Sequence, residues 1–199
     1  MNLASTSKPI FQDKCAGILT SPILIIGAAH SGKSELAASY LKQNEQTAVF
    51  GTAIVQHADV GAKIADLKAS RPSHWRHYEE PLELTNQLRN LPSECKQVLI
   101  DSINQWLASV LITHSNRYCE QQLEAVVLDE LARLTDAIQS AAESRQIVCV
   151  TSEVGAGIVP SHPIARNFRQ LCGKVNIKTA AICKSVVLVS AGLPLVIKS

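Results

Sequence analysis

Ile23-Leu24-Ile25-Ile26, followed at once by Gly27-Ala28-Ala29-His30-Ser31-Gly32-Lys33-Ser34, decides the fold of this chain. The four apolar residues read as a buried strand. Beyond the loop, Glu35-Leu36-Ala37-Ala38-Ser39-Tyr40-Leu41-Lys42 reads as a helix, with Leu36, Ala37, Tyr40 and Leu41 at helical spacing. The eight residues between satisfy G-x-x-x-x-G-K-[ST] in the strand, loop and helix context that the motif requires. In such a loop, backbone N–H groups and the helix N-terminus surround a β-phosphate. Lys33 reaches the β and γ oxygens, and the Ser34 hydroxyl can ligate Mg²⁺. The expected ligand is a nucleoside triphosphate with Mg²⁺, and every residue from Gly27 to Ser34 is expected to contact the nucleotide.

Working outward, Thr47 to Thr52 reads as a second strand ending at a glycine, and Asp59 to Ala69 as a short helix. Pro81 opens another helix with Leu82, Leu84 and Leu88, and Pro92 closes it. Gln97-Val98-Leu99-Ile100-Asp101 is a strand. Helices follow over Ile103 to Thr113 and over Gln121 to Ala142, the second with Leu123, Val126, Val127, Leu131, Leu134 and Ile138 on one face. Ile147 to Thr151 is a strand and Pro163 to Cys183 a helix. Val186 to Val189 and Leu195 to Ile197 are closing strands, joined in a hairpin about Gly192-Leu193-Pro194. Strands that alternate with helices and are apolar throughout predict an α/β fold of P-loop NTPase type. Its sheet is mostly parallel, covered by helices on both faces, with an antiparallel C-terminal edge.

Composition narrows the class. With 199 residues, 46% hydrophobic and 18% charged, the chain can bury one sizeable core, and residues 21–199 are expected to form a single P-loop nucleotide-binding domain. Residues 1–20 lack any period and are expected to be a flexible extension. A net charge of +2 is too small to argue for nucleic acid or a membrane surface, and neither a nucleic-acid partner nor a membrane span is expected. No apolar run approaches the roughly 20 residues that span a bilayer. The six cysteines are scattered without a C-x-x-C pair, which fits free, mostly buried thiols in a reducing cytoplasm.

Asp101 carries the second piece of phosphate chemistry. A carboxylate at the C-terminal end of a strand beside the phosphate loop is where a Walker-B residue holds Mg²⁺. The same residue also precedes a helix, where an Asp serves as N-cap. Glu153, with Gly155-Ala156-Gly157 after a buried strand, belongs at the crevice where such sheets bind ligands. Trp75 fits either a packing role or a substrate wall.

From about Ile23 to its end the chain resembles the bifunctional adenosylcobinamide kinase / adenosylcobinamide-phosphate guanylyltransferase family of cobalamin biosynthesis. The resemblance rests on the phosphate loop, Arg71-Pro72-Ser73-His74-Trp75-Arg76 with Glu79, Asp101, and Val150-Thr151-Ser152-Glu153-Val154-Gly155-Ala156-Gly157-Ile158-Val159-Pro160. Ala165-Arg166-Asn167-Phe168-Arg169 and Gly173-Lys174-Val175-Asn176 add to it. It implies a corrinoid acceptor, a homotrimer and two reactions. First, the γ-phosphoryl of ATP or GTP passes to the aminopropanol hydroxyl of adenosylcobinamide. GTP then gives GMP to that phosphate through a covalent histidine. It also implies nucleotide contacts at Gly51, Thr52, Ala53, Lys68, Ala69, Ser70, Arg71 and Glu79, and catalytic roles for Lys33, Asp101 and Glu153, with Ser34 and Asp101 at the metal.

The chain departs from the family pattern at one decisive position. Counting back from Arg71-Pro72, the family's H-K-D-G-R-P is Leu67-Lys68-Ala69-Ser70-Arg71-Pro72, so a leucine stands where the nucleophilic histidine belongs, and Asp66 replaces the histidine before it. Leucine has no lone pair to attack phosphorus. His57 and His77 lie in the right half of the chain, but nothing in the sequence brings either to an α-phosphate. The expectation is a kinase that has lost its guanylyltransferase step; a relocated histidine and a non-catalytic nucleotide-binding paralogue are the alternatives.

Overall fold

A computed structural model of the chain describes residues 19–53, 58–79 and 81–199. Cys15, His57 and nearly all of the 1–20 extension lie outside them. The order is β1 (Ile23–Gly27), α1 (Lys33–Ser39), β2 (Thr47–Gly51), α2 (Ala58–Ala69) and β3 (Arg76–Tyr78). A 3-10 turn over Pro81–Glu83 runs into α3 (Leu84–Arg89), then come β4 (Gln97–Asp101), α4 (Ile103–His114), α5 (Glu120–Ala142) and β5 (Gln146–Ser152). The chain closes with α6 (Pro163–Ile182), β6 (Ser185–Ser190) and β7 (Leu193–Lys198).

The strands form one seven-stranded sheet in the order β3-β2-β4-β5-β1-β6-β7, parallel except for the antiparallel β6–β7 pair. Side chains alternate across it. Leu24, Phe50, Val98, Ile100 and Cys149 pack under α3 to α6 on one face, and Ile25, Val49, Leu99, Val150 and Val187 pack under α1 on the other. Both faces are covered, which is why the strands show no polar alternation.

Three local expectations are corrected. The β6–β7 hairpin turns at Ala191-Gly192, with φ of 50° and 80°, while Leu193 and Pro194 already pair in β7. Two consecutive left-handed residues are what a two-residue turn needs to match strand twist, and Gly192 takes that conformation without steric cost. β3 was not foreseen: three residues beside Trp75 are too few to show a period. Helix α1 stops at Ser39, three residues short of the expected end. Trp75 is buried against the α1 face, so it is a packing residue and not a substrate wall. Among the described cysteines, Cys95, Cys149, Cys172 and Cys183 are buried, Cys119 is exposed, and all are free thiols.

Candidate active site

β1 delivers the phosphate loop at the C-terminal end of the sheet. Gly27 sits so close beneath the loop that a Cβ there would fall 2.5 Å from the Val189 carbonyl and 2.6 Å from Ser31 Oγ, which excludes any larger residue. His30 holds a left-handed backbone with φ of 56°, uncommon for a residue with a side chain. The hairpin props the loop from behind, where the Gly192 N–H donates to the Ser31 carbonyl at 3.0 Å. Lys33 folds over the loop, its Nζ 3.0 Å from the Ala28 carbonyl.

A cleft of about 560 Å³ opens beside this loop. Its floor carries Ala29, His30, Lys33, Ser34, Asp101 and Ser152, and its far wall Ile64, Leu67, Lys68, Arg71, His77 and Glu79. Gly51 and Ala53 line it as expected, together with Ser102, Asn104 and Gln105 from the start of α4. Ser31 and Gly32 line a smaller recess of about 150 Å³ on the helix side of the loop, with Ser31 Oγ buried and without a partner.

Asp101 reaches the loop in a way that the sequence did not foresee. β4 is not the neighbour of β1; β5 lies between them. The parallel register nevertheless sets Asp101 level with Val150, and Ser34 Oγ donates to Asp101 Oδ1 at 3.2 Å. The other oxygen, Oδ2, takes an ion pair from Arg71 at 2.9 Å, and both side chains are about nine-tenths buried, with exposures of 7% and 11%. Ser102, not Asp101, is the N-cap of α4, so the carboxylate is committed to the cleft and not to a helix end. The Ser34 hydroxyl and the Asp101 carboxylate are hard oxygen donors side by side, a set that suits Mg²⁺ completed by phosphate oxygens and water.

Other expected contacts lie elsewhere. Thr52 is buried, its hydroxyl donating to the Ser102 carbonyl at 2.5 Å and accepting from the Ser102 N–H at 2.8 Å, so it stitches the ends of β2 and β4 together and does not line the cleft. Ala69 and Ser70 are exposed outside the cleft lining, with Ser70 Oγ bonded to the Leu67 carbonyl at 2.8 Å. Glu153 is exposed and turns its Oε1 back to the Gly155 N–H at 2.6 Å, capping its own loop. Arg166 and Arg169 of α6 hold the following segment by its carbonyls at Pro160, Ser161, Gly155 and Gly157.

Sequence reasoning missed Ile64, Ser102, Asn104, Gln105 and Ser152. The available signal was the run of polar residues just after Asp101, in the first turn of a helix that starts at the crevice. Asn176 had been noted without a role. From inside α6 its Nδ2 donates to the Ser152 carbonyl at 3.1 Å and its Oδ1 accepts from Thr151 Oγ1 at 2.7 Å, fixing the end of β5.

Sheet order, phosphate loop and cleft define a P-loop NTPase fold built to hold a nucleotide. An ATPase from the type III secretion system of pathogenic bacteria shares that fold, with a TM-score of 0.50 and 10% identity over 87% of this chain and 56% of the other. The chain belongs to the cobinamide kinase / cobinamide phosphate guanyltransferase family, whose model matches residues 23–197. It is 31% identical over 176 residues to the bifunctional adenosylcobalamin biosynthesis protein CobP of Pseudomonas aeruginosa PAO1, covering 88% of this chain and 96% of that one. To CobU of Escherichia coli K12, also named bifunctional, it is 30% identical over 181 residues, covering 88% and 99%. Members of this family are kinase and nucleotidyltransferase enzymes of cobalamin biosynthesis.

Proposed function

We propose that this chain is an adenosylcobinamide kinase that moves the γ-phosphoryl group of ATP or GTP to the corrinoid's aminopropanol hydroxyl, with residues 21–199 as its catalytic domain. The observation that carries this reading is the meeting of Lys33, Ser34, Asp101 and Arg71 at one end of a single cleft. Phosphoryl transfer needs little covalent help from a protein; it needs position and positive charge. Lys33 and the loop N–H groups supply charge at the β and γ oxygens. Ser34 and Asp101 would hold Mg²⁺, which when bound neutralises charge on the transferring phosphate. Arg71 fixes the orientation of Asp101 before the nucleotide arrives. Lys68 and Glu79, paired at 2.5 Å across the outer wall, would contact the nucleoside.

Position 67 lines the same cleft and presents only carbon, so no guanylyl group passes through it. Among the described residues no helix is long and apolar enough to cross a membrane. A cytoplasmic location, a homotrimer and the lack of a nucleic-acid partner complete the reading. Incubation with γ-labelled ATP or GTP and adenosylcobinamide tests it: label on the corrinoid is expected, and its absence in the folded, nucleotide-binding protein overturns the assignment.

A further inference from the structure

Ile64 and Leu67 give the α2 wall of the cleft a carbon surface, yet the strand beside it brings an imidazole to the same space. His77, the middle residue of β3, is half-buried and lines the cleft with Lys33, Ser34, Lys68 and Arg71. Register puts it there. His77 stands opposite Val49 of β2, while Tyr78, one residue on, faces the other way and stacks on Phe50 with ring centroids 4.9 Å apart. A slip of one residue would carry the imidazole out of the cleft.

The ring's surroundings suit attack on phosphorus. Burial first, then the charges of Arg71 and Lys68, hold its pKa below the ordinary imidazole value, with Glu79 opposing. The ring therefore keeps a free lone pair at neutral pH, and the same two cations draw phosphate oxygens towards it. The other described histidines are placed differently. His74 Nε2 lies 3.3 Å from the Glu45 carbonyl, outside the cleft lining; His114 sits beside Tyr118; His162 caps α6; and His30 belongs to the phosphate loop itself.

We propose that His77 is the nucleophile that takes the guanylyl group from GTP, in place of the leucine at position 67. The proposal rests on the guanyltransferase half of the family's activity and goes beyond the kinase reading. The lone pair of one ring nitrogen attacks the α-phosphorus, an N–P bond forms, and the bond from that phosphorus to the oxygen bridging the α- and β-phosphates breaks. Pyrophosphate leaves with the electron pair. A phosphate oxygen of the phosphorylated acceptor then attacks the same phosphorus, the N–P bond breaks, and its electrons return to the ring. The proton on the second ring nitrogen stays throughout.

The full chain is incubated with α-labelled GTP and Mg²⁺, denatured, and treated with acid or alkali. Acid-labile, alkali-stable label is expected on the wild-type protein, and peptide mapping should place it on the segment that carries His77. His77→Gln and His77→Ala should fall to background, and His74→Ala should keep the label. Binding of a fluorescent GTP analogue and far-UV circular dichroism identify folded variants; the mapping needs no variant at all. Label that persists in folded His77→Gln, or that maps to His30 or His57, overturns the proposal. So does a wild-type protein that takes no label. Transfer of γ-label to adenosylcobinamide without an α-labelled adduct defeats this proposal alone, while an adduct without γ-transfer defeats the kinase reading alone.

Discussion

The two walls of the cleft are built on different principles. The floor, from β1, the phosphate loop and the end of β4, is held by backbone: Gly27 has no room for a Cβ, and Asp101 is set by strand register. The far wall, from α2 to Glu79, is held by side chains: Lys68 on Glu79, Arg71 on Asp101, and His77 on a three-residue edge strand. A backbone-built wall keeps its chemistry wherever the motif survives. The far wall presents a leucine at position 67 and an imidazole at position 77, and the short β2–β3 ladder is its one backbone-built part, aiming the imidazole into the cleft.

The sharpest way to break that contrast is Lys33→Ala, which should cut γ-phosphoryl transfer by about 10²–10³-fold or more while leaving the circular dichroism spectrum intact, since the lysine supplies charge and not core packing. Asp101→Asn comes next. It should raise the Mg²⁺ concentration needed for nucleotide binding and lower turnover. It should also reduce the melting temperature, because it strips the buried Arg71 guanidinium of its counter-charge, a loss of about 3 kcal/mol for a pair this enclosed. Unchanged Mg²⁺ dependence would remove Asp101 from the metal.

Leu67→His placed in a His77→Gln background should restore α-label to the protein, since both positions line the same wall; failure in a folded double variant would show that the two are not interchangeable. Labelling of the wild-type protein should hold level as pH falls through the ordinary imidazole range and decline only below it, because His77 protonates later than a free histidine when burial, Arg71 and Lys68 disfavour its charged form. A decline at the ordinary range would mean that the reactive ring lies elsewhere. Smallest of all, Glu153→Gln should change turnover by less than about threefold, since an amide oxygen still accepts from the Gly155 N–H.

How much could be read in the sequence follows the same division. The loop from Gly27 to Ser34, the strand ending in Asp101 and the parallel sheet were legible because local pattern fixes them: apolar runs, turn glycines and one motif of fixed spacing. The insertion of β5 between β1 and β4 was not legible, because strand order is a long-range choice that leaves no periodic trace. Thr52 was expected at the nucleotide and Glu153 among the catalytic residues. The structure gives Thr52 to a strand-end bond and Glu153 to its own turn, since a short polar side chain takes the nearest backbone partner. His77 was named, but not placed; only the pairing of β3 with β2 aims it into the cleft.

Asp101 has one negative charge and two claimants already in place, the Ser34 hydroxyl and the Arg71 guanidinium. A Mg²⁺ ion arriving with a nucleotide would bring a third, and two cations cannot both be neutralised by a single carboxylate. The triphosphate, however, carries its own surplus of negative charge into the cleft and gives Arg71 somewhere else to go. The exchange of partners at Asp101 would thus tie occupancy of the floor to the far wall: Arg71, in the turn that joins α2 to β3, would be drawn to the phosphates once they are present to receive it.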